Sequence, residues 1–523
     1  MSRITKKEKL EYSRSFDIHK WSEHKEVKEC VDSLCKELMK LQSFKTSREN
    51  LVKKHIRVLV VDLWSAWNQD PKLQIGISRR YADYIKNKRY GKIGLSYKPM
   101  IKVLDALAKK KYIDQNIGWL DRVRKIGRIT RIISTKKLIQ KIVKEHKIKK
   151  SHIQRCRNQE CLILKNKIIV DKQKKNIEID YKDNKQTKLM RSDLLEYNNL
   201  LRRSHIHIPN YYGKIKVNFE DESSKFVRRI FNNKSWKNGG RFYSGWWQRI
   251  ESENRKYIRI NNNPVVEIDF SGLHIVLLYS MVGIDYWSEW KNSTDTTHTP
   301  KEFFTSVVKD PYDLSDYGYD MDDRMRNFLK KILLISINEK KGKTKDVSRV
   351  TKSVRESIRT DEDLEWIKST YDNNQIEKIV TDFADYHKPI KKYFYSGLGL
   401  NLQYIDSQIA SLLINHFTRL DIPILCIHDS FVIEWNKDRL GDEEDSIDWM
   451  MEIFYNKVIM DNFKTSTRPK LKIVGGIDYF VKKDNFQKLK EIQKDKKYWS
   501  SWKKHQKQTW FENYYHDQEI KYS

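Results

Sequence analysis

The sequence predicts an α+β fold in which an antiparallel sheet carries the working residues and a smaller, basic, largely helical module precedes it. Three observations predict this. Two apolar strand-like stretches, "PVVEIDF" and "LCIHDSFVIEW", each hold an aspartate in surroundings that disfavour a charge. Between them lies an amphipathic helix, "RNFLKKILLISIN", with two cations on one stripe. Lys plus Arg number 103 against 70 Asp plus Glu, so the 523-residue chain carries a net charge of +33 and calls for a polyanionic partner, nucleic acid first.

Residues 1–50 read as a charged, peripheral helical segment. Residues 51–135 are better defined. The apolar "LVVDLWSAW" anchors a helix, and "LSYKPMIKVLDALAKKKYI" reads as a second, with Ser96 as N-cap and Met100, Val103, Leu104 and Leu107 at helical spacing. "IGWLDRVRKIGRITRIIS" then places two β-prone stretches around a basic turn. Helix, helix and basic hairpin resemble the winged helix-turn-helix module of plasmid replication initiators. The resemblance implies that Tyr97, Lys98 and Lys102 on the recognition helix, and Arg122, Arg124, Lys125 and Arg128 on the wing, face duplex DNA. A small helical domain with a solvated basic face is the plainer alternative.

Residues 136–200 read as a lysine-rich basic connector with one hairpin at "CLILKNKIIVDKQKKNIEIDY". The sheet-bearing unit is expected over 201–480. The tail, 481–523, interleaves Lys with Trp, a pattern suited to a nucleic-acid backbone with base stacking, or to a helix packed on the core. No run of about 18 apolar residues occurs, and the opening residues lack the apolar centre of a signal peptide. A soluble, cytoplasmic protein without a membrane partner is expected. The cysteine pairs Cys30/Cys35 and Cys156/Cys161 share a spacing, but ordinary thiols of a reducing compartment are expected rather than a zinc site.

The chemistry centres on the two aspartates. Val265, Val266 and Ile268 form a strand ending at Asp269; Ser271 and Gly272 turn the chain into an apolar helix beginning near His274. His428, Asp429 and Ser430 sit at a tight reversal between two apolar strands. Carboxylates from neighbouring strands can share two divalent cations, which clamp the attacking and leaving oxygens of a phosphoryl transfer. On the intervening helix Arg326, Lys330, Leu334 and Asn338 recur at steps of four, one face, as the flank of a triphosphate requires.

Together these residues resemble the polymerase domain of the DNA polymerase I family (family A) and the related phage-type single-subunit RNA polymerases. "EIDFSGLHIVLL" resembles the first palm motif, the helix matches the fingers spacing R-x3-K-x3-F-x3-Y, and "IHDSF" is similar to the second palm motif, HDE in the DNA enzymes and HDS in the RNA enzymes. "GGRFYSGWWQRI" and "LNLQYIDSQIASLLI" resemble two primer–template segments. The resemblance covers about residues 236–437. It implies a right-hand palm and fingers, Mg²⁺ (Mn²⁺ as a substitute) on Asp269 and Asp429, and nucleotide contacts from Arg326, Lys330, Asn338 and His274. It also implies nucleic-acid contacts from Arg241, Gln248, Gln403 and His428.

The sequence departs from the family at four positions that bear on sugar choice or motif type. His274 replaces a glutamate that screens out ribonucleotides, Asn338 and Leu334 replace two aromatics of the fingers helix, and Ser430 replaces the glutamate of HDE. No exonuclease carboxylate set stands upstream, and the short span before Arg241 leaves room for only a reduced thumb. The expected function is a template-dependent nucleotidyltransferase, DNA synthesis favoured, acting on primer–template and nucleoside triphosphates. The N-terminal module would recruit it in replication or mobile-element maintenance. Alternatives are a primase-like, RNA-synthesising or template-independent enzyme, a non-catalytic initiator or repressor, and a nuclease.

Overall fold

The computed structural model describes residues 12–41, 46–85, 89–91, 94–121, 126–156, 159–170, 173–208, 222–287, 310–340, 346–358, 364–435 and 446–475. Helices and strands are mixed throughout, and the buried residues fall into two large cores, one from Val27 to Ile153 and one from Cys161 to Ile459. Among the described residues no helix is long and apolar enough to cross a membrane.

The first core is built by helices α1 (Lys25–Met39), α2 (Glu49–Gln69), α3 (Ala82–Ile85) and α4 (Tyr97–Lys109). They accompany strands β1 (Ser13–Ser15), β2 (Gln74–Ile77), β3 (Ile113–Asn116) and β6 (Thr130–Ser134), in the spatial order β1-β2-β6-β3. Between β3 and β6 projects a hairpin of β4 (Trp119–Asp121) and β5 (Ile126–Arg128). Helix α4 buries Met100, Val103, Leu104 and Leu107, the stripe its spacing dictates. Leu104→Ala should therefore cost about 2–5 kcal/mol, visible as a lowered urea midpoint of this unit.

Two expectations are corrected here. The segment 1–50 is expected to be peripheral, but within its described part α1 buries Val27, Cys30, Val31, Leu34, Cys35 and Leu38 in the first core, and β1 pairs in parallel with β2. Its many charges lie on the opposite face of a strongly amphipathic helix, which hid its buried stripe. Nor is 136–200 a connector. Its first part, through Ile153, completes the first core. Strands β7 (Leu162–Val170) and β8 (Gln173–Glu178) form the expected hairpin, but it joins a four-stranded sheet, β8-β7-β9-β10, with β9 (Arg228–Phe231) and β10 (Gly239–Tyr243). Helix α5 (Lys185–Arg203) then buries Leu194, Tyr197 and Leu201 in the second core, where the Tyr197 hydroxyl donates to the Ile424 carbonyl at 2.6 Å. Exposed lysines dominate this stretch's composition, and the apolar residues it buries are few and scattered. The tail 481–523 lies outside the described residues.

The sheet that matters for chemistry is antiparallel throughout. It contains β11 (Val265–Phe270), β12 (Ile424–Ile427), β13 (Ser430–Glu434) and β14 (Leu471–Gly475), in the order β12-β13-β11-β14. Helix α6 (Leu273–Ser280) follows β11 directly; α7 (Asp323–Asn338), α8 (Gly399–Arg419) and α9 (Ile447–Phe463) share its core. Strands β12 and β13 are buried almost completely, which explains their unbroken apolar runs: both faces are covered, so no alternation is needed.

Candidate active site

Strand pairing brings the two aspartates together. Asp269, near the end of β11, lies opposite Ser430, the first residue of β13, and the Phe270 N–H donates to the Asp429 carbonyl at 3.3 Å. His428 and Asp429 are the two residues between β12 and β13, and His428 has φ +61°. A two-residue hairpin of this hand requires positive φ at its first position, normally supplied by glycine. Keeping a histidine there costs about 1–3 kcal/mol of backbone strain. Its ring packs edge-on against Tyr243, centroids 5.5 Å apart, and its buried Nδ1 has no hydrogen-bond partner among the described residues.

Among the described residues neither the Asp269 nor the Asp429 carboxylate has an ion-pair or hydrogen-bond partner. Burial, then the charges of Asp429 and Glu267, push the Asp269 carboxyl up to about 7; Lys330 and Lys472 oppose this through space without touching it. Two acidic groups so placed repel, and one must take up a proton or a cation. A divalent cation fits this donor set: oxygen ligands, adjacent strands, and no competing protein cation in contact.

Helix α7 places its stripe as the spacing dictates. Met325, Phe328, Leu329, Ile332, Leu333 and Ile337 are buried, while Arg326, Lys330, Leu334 and Asn338 fall on the opposite, accessible side. Lys330 is half-buried, and burial together with Arg326 lowers it from the ordinary lysine value while Asp269, Asp310 and Asp429 pull the other way. No carboxylate lies within 4 Å of Lys330 among the described residues, whereas Arg326 is engaged with Asp310 at 2.8 Å. Both cations lie over the Tyr312 ring, at 5.4 Å for Arg326 and 5.7 Å for Lys330. Asn338 turns its amide back to the Leu334 carbonyl at 2.7 Å.

A second cluster sits behind the carboxylates. Arg241 on β10 donates through Nε to both oxygens of Asp406 on α8, at 2.9 and 3.1 Å, and its Nη2 also meets Asp406. His274 Nε2 lies 3.0 Å from Asp406 and 3.0 Å from Arg241 Nη2. Arg241 and His274 are both turned onto Asp406, which is 2 % exposed and would otherwise be an unpaired buried charge. The Gln248 amide donates to the Phe242 and Cys426 carbonyls at 3.0 and 2.9 Å and so braces the sheet. Gln403 is half-buried on α8.

Glu267, two residues before Asp269 and thus on the same face of β11, is held by Arg255 through two bonds of 2.9 Å and by the Ser430 hydroxyl at 2.8 Å. Ser430 is thereby a brace between the two acidic strands. Sequence reasoning passed over Glu267, Asp406, Asp310 and Lys472. Asp406 carried a readable signal, a lone carboxylate on the apolar face of a long helix; the others depend on which strands and loops meet.

In the first unit Lys98 and Lys102 are exposed on α4, and Tyr97 meets Tyr81 and Tyr84 edge-on at 5.6 Å each. Arg128 donates to Asn116 Oδ1 at 2.8 Å. Arg122, Arg124 and Lys125 lie outside the described residues. Cys30 and Cys35 are buried in the first core and Cys161 in the second, so the two pairs do not form one site. His24, Glu26 and His152 bring donor atoms within 4.8 Å of one another, but the imidazoles stack 4.4 Å apart at 10°, so their in-plane lone pairs run side by side. No protein-family model matches the chain, and neither does any curated protein or solved structure compared with it.

Proposed function

We propose that the chain is a nucleotidyltransferase and, more particularly, a template-dependent polymerase of the family A type, DNA synthesis favoured. The observation that carries this reading is the placing of Asp269 beside Asp429 at adjoining strand ends, both without a partner among the described residues, under the cationic stripe of α7. Asp269 and Asp429 would hold divalent cations, Mg²⁺ or Mn²⁺, whose chemistry is to activate a primer hydroxyl and neutralise the leaving pyrophosphate. Lys330 supplies a cation to the triphosphate, and Arg326 can reach it by exchanging Asp310 for phosphate. Arg241, His274 and Asp406 lock β10, α6 and α8 into one rigid wall.

The order of elements in the first unit supports the winged-helix reading: two helices, a strand, a short helix, α4, a strand, then a hairpin and a returning strand in the sheet order β2-β6-β3. The exposed Lys98 and Lys102 are then positioned for duplex DNA. A non-catalytic initiator would have no need of two neighbouring carboxylates left unpaired.

Purified protein with Mg²⁺, a labelled primer–template and deoxynucleotides should extend the primer. Ribonucleotides, and reactions lacking template, separate the primase-like and template-independent variants. Lys330→Met should lower kcat/KM for the nucleotide by about 10²-fold while leaving primer–template affinity unchanged. Extension by Asp429→Ala at the wild-type rate would remove the assignment.

A further inference from the structure

A cavity of about 790 Å³ lies at the seam between the two units, away from the aspartates. Its size is that of a small-molecule site, which runs to about 300–1,000 Å³. The first unit contributes Phe16, His19, Tyr84 and Tyr90, and the second Ile163 and Arg228.

Two of these side chains are chemically incomplete. Arg228 donates through Nε and Nη2 to the Ser244 hydroxyl at 3.1 and 3.0 Å, a neutral partner, and no carboxylate lies within 4 Å of it among the described residues. Burial and the neighbouring Arg155 lower its affinity for its proton while Asp17 and the cavity-lining Glu178 oppose this from a distance, and Asp17 is already paired with Arg155 at 3.1 Å. His19 Nδ1 is buried with no hydrogen-bond partner among the described residues, and the Tyr90 backbone lies beside the ring. Burial pushes this imidazole down to about 4, so it is neutral, and the tautomer protonated at Nε2 leaves Nδ1 free to accept from a ligand N–H. The acidic groups on the wall are largely satisfied: Glu160 is paired with Arg89 and Arg191, and Asp83 accepts from Ser78.

A half-buried guanidinium whose partner among the described residues is a neutral hydroxyl asks for an anion, a lone buried nitrogen asks for a hydrogen-bond partner, and aromatic rings between them ask for a flat apolar body. We propose that this cavity binds a mononucleotide-sized organic phosphate, its phosphate on Arg228, its ring system against Phe16 and Tyr84, and a ring amino group on His19 Nδ1. The site is wired to both units. Tyr84 touches Tyr97 at the start of α4, and Ser244, which Arg228 grips, follows Tyr243, the ring against which His428 packs.

The test is isothermal titration of the full chain with adenosine 5′-monophosphate in EDTA, which removes divalent cations from the aspartates and keeps the test independent of catalysis. Saturable binding with Kd below about 100 μM is expected. Arg228→Gln should weaken it at least about tenfold, Tyr84→Ala should weaken it as well, and Lys330→Met should leave it unchanged. Circular dichroism confirms that each variant is folded. No saturation at millimolar ligand overturns the proposal. So does binding that survives both cavity variants, binding lost in Lys330→Met alone, or inorganic phosphate binding as tightly as the nucleotide.

Discussion

Asp269→Asn is expected to abolish nucleotide incorporation, by at least about 10³-fold in kcat, and to stabilise the cation-free protein at the same time. The two effects have one cause. In the fold, burial and the charges of Asp429 and Glu267 raise this carboxyl from 3.8 to about 7. A carboxyl with a raised folded value contributes stability that is fully present below its unfolded value and is lost as pH climbs through the folded one. Between about pH 4 and pH 7 the native state is therefore increasingly disfavoured, because it keeps Asp269 protonated where the unfolded chain ionises it, on the order of 4 kcal/mol by pH 8. In EDTA at pH 8 the Asn variant should melt several degrees above wild type, and the gain should shrink toward pH 4. Added Mg²⁺ should raise the wild-type melting temperature and leave that of the variant almost unmoved. Calorimetry across pH, with and without Mg²⁺, checks all three. A variant that melts lower than wild type in EDTA would show that the two acidic groups do not repel in the fold.

The largest loss of stability is expected from Asp406→Ala, about 3–5 kcal/mol by urea denaturation. Asp406 is 2 % exposed and is the shared anion for Arg241 and His274. Burial works against the Arg241 charge and Asp406 more than offsets it, holding the guanidinium above the ordinary arginine value. Removing the carboxylate leaves that charge buried and unpaired. Asp406→Asn keeps the shape and one acceptor, so a smaller loss of about 1–2 kcal/mol is expected. Because the cluster ties β10 to α6 and α8, Asp406→Asn should also slow primer extension, chiefly through kcat, without moving the Mg²⁺ dependence that belongs to Asp269 and Asp429. An equal loss in the Asn and Ala variants would show that the negative charge, not the packing, is what the cluster requires.

Local pattern alone determined much of this protein. The 3.6-residue periodicity of α4 and α7 settled which side chains go inward, and so which face Lys330, Leu334 and Asn338 occupy. The apolar runs around Asp269 and Asp429 marked them as charges retained against the preference of their strands. Tertiary pairing decided what no window of sequence contains. The register of β11 with β13 sets Asp269 beside the Asp429 turn and brings Glu267 onto Ser430, and the packing of α8 against β10 delivers Asp406 to Arg241. The charged segment before residue 50 and the lysine-rich stretch after 136 also became core elements only there. The physical reason is the range of the forces. Periodicity reflects steric and solvation preferences felt within one or two turns, whereas the partner of a buried charge is chosen by whichever elements the hydrophobic core packs together.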